Sequence, residues 1–461
     1  MAIAHFAGRC LAIPSSWYGR EPFASALCQI PSINIWDDHD PTSLMSNIEH
    51  FKIIDGFGSY ANETMECSVF RAIGALAHKY YMLFQHHLSP GNVDDSMQDT
   101  YIADTIPEPQ YVLGPRPGPY IRAQSHNIFT RLGARIAFLG VDARTERNRE
   151  QTNYRETYDC LFARVNAELD AAAWCGRPIK HLILLFGIPL AYPARSAGRS
   201  FQRLSDKLGI DAVFPIGKNA MNPFDNAIEL LDDLNDHYTS NAHRNERRYL
   251  IERIQCVCAA HSVRATILSG DVHLAAVGRF FTTHKGDILP IEEDFRFINN
   301  VISSAIVNQP PPETMAKLIA HGDKIRHLNA ETEECLFKLF RSNSTTSAKK
   351  PEGTTVAMPR RNFSIITENS PNNEGKLSWR QFFAKHGNRP LHFGEANAGT
   401  RHIAASNQHG KGNDGSLDVC FCVEADHQRH DGQTVGYGFT IPALEYRGPA
   451  LSEPVWSETT S

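Results

Sequence analysis

No apolar run in this sequence reaches the roughly 20 residues that a membrane-spanning helix needs, so no transmembrane segment is expected. Charge of one sign is not in excess either: 46 Lys and Arg stand against 51 Asp and Glu, a net charge of −5. That balance carries no nucleic-acid signature and no electrostatic pull toward an anionic membrane. Met1 to Trp17 has an apolar flavour but no basic stretch ahead of a clean apolar core, so a secretory signal is not expected. The ten cysteines are scattered, with Cys256/Cys258 and Cys420/Cys422 at C-x-C spacing and no second pair at zinc-ribbon distance. They read as small buried hydrophobes. Without a disulfide framework, the expected location is cytoplasmic. Internal repeats are lacking. One local scarcity weighs more: Met1–Ile35 holds no aspartate, and Glu21 is its only acid.

What is present is a chain of 461 residues, 42% hydrophobic and 21% charged, large enough for a sizeable core and more than one folded unit. The stretch Asn34–Asp40 organises the reading. Ile33 and Ile35 alternate with Ser32 and Asn34, the pattern of a β-strand. Trp36 then leads into Asp37, Asp38 and Asp40 around His39. Carboxylates suit hard cations and imidazole suits Zn or Fe, so the cluster suits metal binding. A solvated, turn-forming acidic loop is the plainer alternative. The second such stretch is Leu268–His273. Asp271 and His273 stand two apart at a strand end, so extended backbone puts both on one face, able to grip one ion. Its plainer alternative is a turn histidine beside a capping acid.

Glu63 to Leu88 reads as an amphipathic helix, with Phe70, Ile73, Ala77, Tyr80, Tyr81 and Phe84 at helical spacing and His78, His86 and His87 on its edges and tip. Pro107–Pro119 reads as a surface loop. Ala134–Val141 is a strand ending at Asp142-Ala143-Arg144, and His181–Phe186 is a strand buried on both faces. Helices are expected over Glu156–Cys175, Asn222–His237, Glu246–His261, Glu313–His321 and Glu331–Phe340. Further strands are expected at Ala265–Leu268, Ala275–Phe281, Asn299–Val307, Asn362–Thr367, Leu417–Glu424 and Gly436–Ile441. Strands alternate with helices from Ala134 to Phe281, and polar residues stand just past several strand ends, as in open α/β sheets. The expected division is a main domain over 1–340, a flexible linker over 341–360 and C-terminal strands over 361–461 packing on or extending the main domain.

Five motifs occur in order: Trp36-Asp37-Asp38-His39-Asp40, Ile53–Tyr60 (IIDGFGSY), Phe138–Arg144 (FLGVDAR), Gly187–Pro193 (GIPLAYP) and Ile267–His273 (ILSGDVH). Together they resemble the PhoD-like metallophosphatases, the alkaline phosphatase D family, in the fungal-type version. The resemblance implies an α/β fold, a layered α-β-β-α sandwich with a metal centre at the strand ends. It implies Asp38 as a metal ligand and His39 as the general acid, with Asp271 and His273 as further ligands. Arg144 is implied as a phosphate contact or loop brace, a structural ion pair being its plainer role. Two metal ions are implied, with Fe, Zn, Mn and Ca not distinguishable. The implied partner is a small-molecule phosphate ester, mono- or diester, hydrolysed by a metal-activated water.

Two departures stand out. The family carries a Gly-Asp-Gln-x-Tyr-x-Asp motif ahead of Trp-Asp-Asp-His, and nothing in Met1–Ile35 matches it. The sandwich is therefore expected to lack N-terminal strands, with self-association through an exposed core face. Asp55, Asp142 and Asp225 are the nearest substitutes for the bridging acid. The residues Pro41–Lys52 also intervene where the family runs directly into Ile-Ile-Asp-Gly, and a displacement of about 1 Å at such a site costs roughly a hundredfold in rate. A non-catalytic, partner-binding domain is accordingly the second expectation. The acid- and histidine-rich stretch Asp426–Asp431 reads as an exposed polar loop in preference to a separate metal site.

Overall fold

The computed structural model describes residues 21, 23–36, 68–88, 110–148, 150–192, 238–270, 272–283, 289–304, 306, 310–311, 325–341, 354–374, 398–426 and 432–456. Its elements begin with α1 (Phe23–Gln29), α2 (Ser68–Gln85), β1 (Tyr111–Pro117), β2 (Gln124–Arg131), β3 (Ile136–Val141), α3 (Arg155–Trp174) and β4 (His181–Phe186). Then come α4 (Arg244–His261), β5 (Arg264–Ser269), β6 (Ala275–Thr282), β7 (Ile298–Ser303), β8 (Arg326–His327) and β9 (Thr332–Leu336). Short strands β10 (Phe340–Arg341), β11 (Thr354–Thr355) and β12 (Ala357–Met358) precede β13 (Asn362–Glu368), β14 (Leu417–Glu424) and β15 (Thr434–Ile441).

The apolar runs at β3, β4, β5 and β7 bury both faces, and these four pair in parallel at the centre of a ten-stranded sheet ordered β1-β2-β3-β4-β5-β7-β6-β9-β8, with β12 paired to β6. Alternation then assigns the faces. Leu139, Val141, Leu184, Phe186 and Ile267 pack with Tyr158, Phe162 and Leu250 of α3 and α4 on one side. Phe138, Ile183, Val277 and Val301 face the other way, onto Val419, Phe421, Phe439 and Ile441 of the antiparallel sheet β13-β14-β15. Helices, a large mixed sheet and a small sheet thus form successive layers of an α/β fold.

The small sheet is tied to the base of the large one. Arg135 Nε donates to Glu368 Oε1 at 2.6 Å, and the buried His181 Nε2 meets the Gly415 carbonyl at 2.7 Å. Arg264, at the start of β5, is wholly buried and donates to the carbonyls of Pro442, Asp294, Phe297 and Ile291 at 3.0, 2.7, 2.6 and 2.5 Å. Burial draws its guanidinium down to about 10.

Several expectations change. Pro107–Pro119, read as a loop, contains β1. It is an edge strand, where Pro115 and Pro117 cost no interior ladder bonds. Glu331–Phe340, read as a helix, contains β9, which pairs antiparallel with β6 from Thr332↔Thr282 to Leu336↔Gly278; the ladder outweighs the helix-forming glutamates. The later part of the expected linker is strand, with Val356 and Ala357 buried. The helices expected at Asn222–His237 and Glu313–His321 lie outside the described residues, as does most of Asp426–Asp431.

Candidate functional site

All four parallel strands end at one rim, at Val141, Phe186, Ser269 and Ser303. Adjacent strands are ~4.8 Å apart, so the ends of β3 and β5, separated by β4, are roughly 10 Å apart. A cluster divided between those two ends is within reach of one small ligand.

At the β3 end, residues 31–36 have no regular secondary structure and pair with no described strand, which corrects the sequence expectation. Their place is fixed by side chains. A Cβ on Gly140 would lie 2.6 Å from Ile35 Cδ1, so the bare glycine is the slot that Ile35 occupies. Asn34 Nδ2 donates to the Gln85 carbonyl at 3.0 Å. Trp36 is 2% exposed and lies edge-on to Tyr81, ring centroids 4.6 Å apart. Asp37, Asp38, His39 and Asp40 follow at once but lie outside the described residues. A Gly140→Val change should therefore displace Ile35 and whatever Trp36 leads into. Stability should fall by about 1–3 kcal/mol, and Ile35→Ala, which empties the slot, should recover part of it. Urea denaturation of the single and double variants checks this.

The loop after β3 is buried despite its charge: Asp142, Arg144, Glu146 and Arg147 are each 1% exposed or less. Asp142 explains why the turn closes. Its Oδ1 accepts from the Arg144 and Thr145 amides at 3.1 and 2.9 Å, and its Oδ2 from Thr145 Oγ1 at 2.6 Å and the His126 amide at 3.2 Å. Those four bonds use the carboxylate's acceptor sites. Asp142 is therefore a turn-former, its carboxylate engaged within its own loop and by β2. Asp55 and Asp225 lie outside the described residues. Glu146 accepts from Ser125 Oγ, Thr157 Oγ1 and the Tyr154 amide at 2.6, 2.7 and 2.8 Å, while burial pushes its carboxyl up. Arg144 thus sits in a rigid frame at the rim.

At the β5 end, Asp271 lies outside the described residues, whereas His273 is half-buried with φ of 51°. A non-glycine residue in that region costs of order 1–3 kcal/mol and persists only where its surroundings impose it. The surroundings here are clear. The Gly270 amide donates to the Gly187 carbonyl at 3.0 Å, the Val272 amide to the Gly270 carbonyl at 2.9 Å, and the His273 amide to Ser304 Oγ at 3.0 Å. Asn362 of the small sheet holds the Ser304 carbonyl at 2.7 Å and Ser303 Oγ at 2.9 Å. Among the described residues, no group of three or more His, Cys, Asp or Glu is arranged to hold a metal.

Behind Trp36 stands a ring of aromatic and imidazole groups that sequence reasoning missed. His78 contacts Trp36 and His126, each at 5.8 Å between centroids. Tyr111 meets His126 at 5.8 Å and His86 at 5.6 Å, and His86 closes onto Tyr81 at 4.7 Å. His78 is 2% exposed, not on a helix edge, because the β1–β2 hairpin covers it. Burial, then the neighbouring His126 and His86, push His78 down from 6.5 to about 3; burial, His126 and His87 push His86 down to about 4. In the unfolded chain these groups protonate near pH 6.5. Between that value and about 3–4 the unfolded state binds more protons, so their contribution to stability is intact above 6.5 and lost as pH falls. The urea midpoint should drop between pH 6.5 and 4, less steeply in His78→Phe.

The profile of the PhoD-related phosphatase family matches residues 14–213 and 199–447, stretches that together hold the rim loops and the small sheet. This chain belongs to the PhoD-related phosphatase family. A relative, an uncharacterized protein of Saccharomyces cerevisiae, is 37% identical over 394 residues, covering 77% of this chain. The chain spans 52% of that relative's length. In this member of the PhoD-related phosphatase family, Trp36, Arg144 and His273 are the described residues of the motifs that adjoin the ends of β3 and β5. No helix of the described residues is long and apolar enough to cross a membrane.

Proposed function

We propose that the chain is a metal-dependent phosphoesterase acting on a small phosphate mono- or diester. One observation carries the reading: His273, half-buried at the parallel-strand rim, is held at φ 51° while its amide donates to Ser304 Oγ at 3.0 Å. Strain of this kind gathers where a side chain must be aimed. The donor set Asp38, Asp271 and His273 is carboxylate and imidazole, which fits divalent Fe, Zn, Mn or Ca alike. Two metals bound there would supply an acidified water and polarise the phosphoryl oxygens. His39 would give its proton to the leaving oxygen, which matters most for a poor leaving group. Arg144, immobilised under the rim, would hold positive charge close to the phosphate.

The second reading, a partner-binding domain without turnover, is favoured by the engagement of Asp142, whose carboxylate already accepts four hydrogen bonds within the protein. Elemental analysis of the purified chain and a chromogenic phosphodiester assay on the same sample separate the two. Two metals per chain, with turnover that disappears in His39→Ala, support the phosphoesterase. A metal-free, inert chain leaves only the binding domain.

A further inference from the structure

A cavity of about 390 Å³ lies away from the rim, between the start of α4, the Tyr192 and Tyr238 rings, and the β8–β9 edge. Glu334, on its wall, pairs in register with Phe280, five residues along β6 from Ala275. That distance along a strand is about 17 Å, so the cavity is separate from the strand ends.

Its lining gathers Arg244, Arg247, Arg248 and Arg326 in a chain whose net charge is −5. The nearby acids balance only part of this. Glu334 is paired with Arg247, which also donates to the Leu190 carbonyl at 2.6 Å. Glu252 stands 3.8 Å from Arg248, one turn along the helix. Arg244 has no ion pair among the described residues, and Arg326 is half-buried, its guanidinium drawn down by burial, held up by the neighbouring Glu334 that Arg247 also engages, and lowered further by Arg247 itself. Gathering like charges around a cavity is unfavourable unless an anion is taken up there.

Two further donors face the same space. Arg244 is the first residue of the 18-residue α4, whose opening turn has amides without intrahelical acceptors and the positive end of the dipole. Thr239 lines the cavity, is 5% exposed, and its Oγ1 has no hydrogen-bond partner among the described residues. Such a buried hydroxyl costs about 1–3 kcal/mol unless a ligand satisfies it. Several guanidiniums, a hydroxyl and helix amides arriving from different directions suit a tetrahedral dianion better than a planar carboxylate. The volume exceeds what a phosphate group alone would fill, and the two tyrosine rings provide a surface for an organic part.

We propose that this cavity binds a small, diffusible organic phosphate at a site separate from the catalytic rim. Isothermal titration of the full chain with inorganic phosphate and with glycerol phosphate, both in EDTA, tests it. The expected result is millimolar or tighter binding of both, weakened about tenfold or more in Arg244→Glu and Arg248→Glu. Both arginines lie on the exposed side of α4, and circular dichroism would verify folding. Thr239→Val should weaken binding less, and His273→Gly should leave it unchanged. Failure of both probes to bind, or equal binding by the arginine variants, overturns the proposal. Vesicles of phosphatidylcholine with phosphatidate form a second arm. Binding to them without binding of the soluble phosphates would assign the arginines to a lipid surface and overturn the small-molecule site.

Discussion

His273→Gly should abolish most turnover while leaving the fold as stable as before or slightly more so. The histidine backbone sits at φ 51°, a region glycine enters without steric cost. Relief of that strain is worth about 1 kcal/mol, offset in part by the greater freedom of glycine in the unfolded chain. The amide that donates to Ser304 Oγ is kept, so the frame around the position stays closed. What is lost is the imidazole. If it is a metal ligand, the rate should fall by at least about a hundredfold, the upper end of what altered outer-shell partners cost. Urea denaturation and steady-state kinetics on one preparation give both values. A variant that loses stability while keeping its rate would show that the imidazole is structural and would remove the main support for the phosphoesterase reading.

Arg264→Met should destabilise the chain by about 4 kcal/mol, the largest effect expected from any residue distant from the rim. The guanidinium lies at the entry to β5, wholly buried, and satisfies four carbonyls from two segments, one between β6 and β7 and one just after β15. Methionine fills much of the volume but donates nothing, and an unsatisfied buried carbonyl costs about 1–3 kcal/mol before any water enters. Arg264→Lys should recover only part of the loss, because a single ammonium cannot reproduce the planar fork that reaches four acceptors. The denaturant midpoint with unchanged slope is the measure. A change below about 1 kcal/mol would mean that water replaces the guanidinium readily.

The parts of the fold legible in the sequence are those governed by local pattern. His181–Phe186 has six apolar or buried positions in succession and forms β4 with those bounds. Glu246–His261 has the helical period and lies within α4. Where several forces compete, pattern fails. Tyr111–Pro117 carries two prolines and a glycine, and becomes a strand only because the edge of the sheet tolerates them. Thr332–Leu336 has no strand alternation and is strand because β6 offers it a ladder. The site divides the same way. Arg144 and His273 were read just past strand ends, and they follow β3 and β5 in the fold. The burial of His78 was hidden, because His126, which packs against it, lies on β2, a strand that the sequence reading did not assign.

Local pattern was enough to mark the apolar runs that become the central strands, the positions where those runs stop, and the polar residues that follow each stop. Period and composition are local properties, and they survive without knowledge of neighbours. What each charged group engages depends on packing between distant segments. Asp142 is occupied by its own turn and by an amide that β2 brings from His126; Glu146 is enclosed by Ser125 and Thr157; and arginines from α4 and β8, about 80 residues apart in sequence, surround one cavity. Those assignments depend on strand pairing and layer packing between distant segments, where hydrogen-bond satisfaction outweighs the intrinsic preference of any single residue.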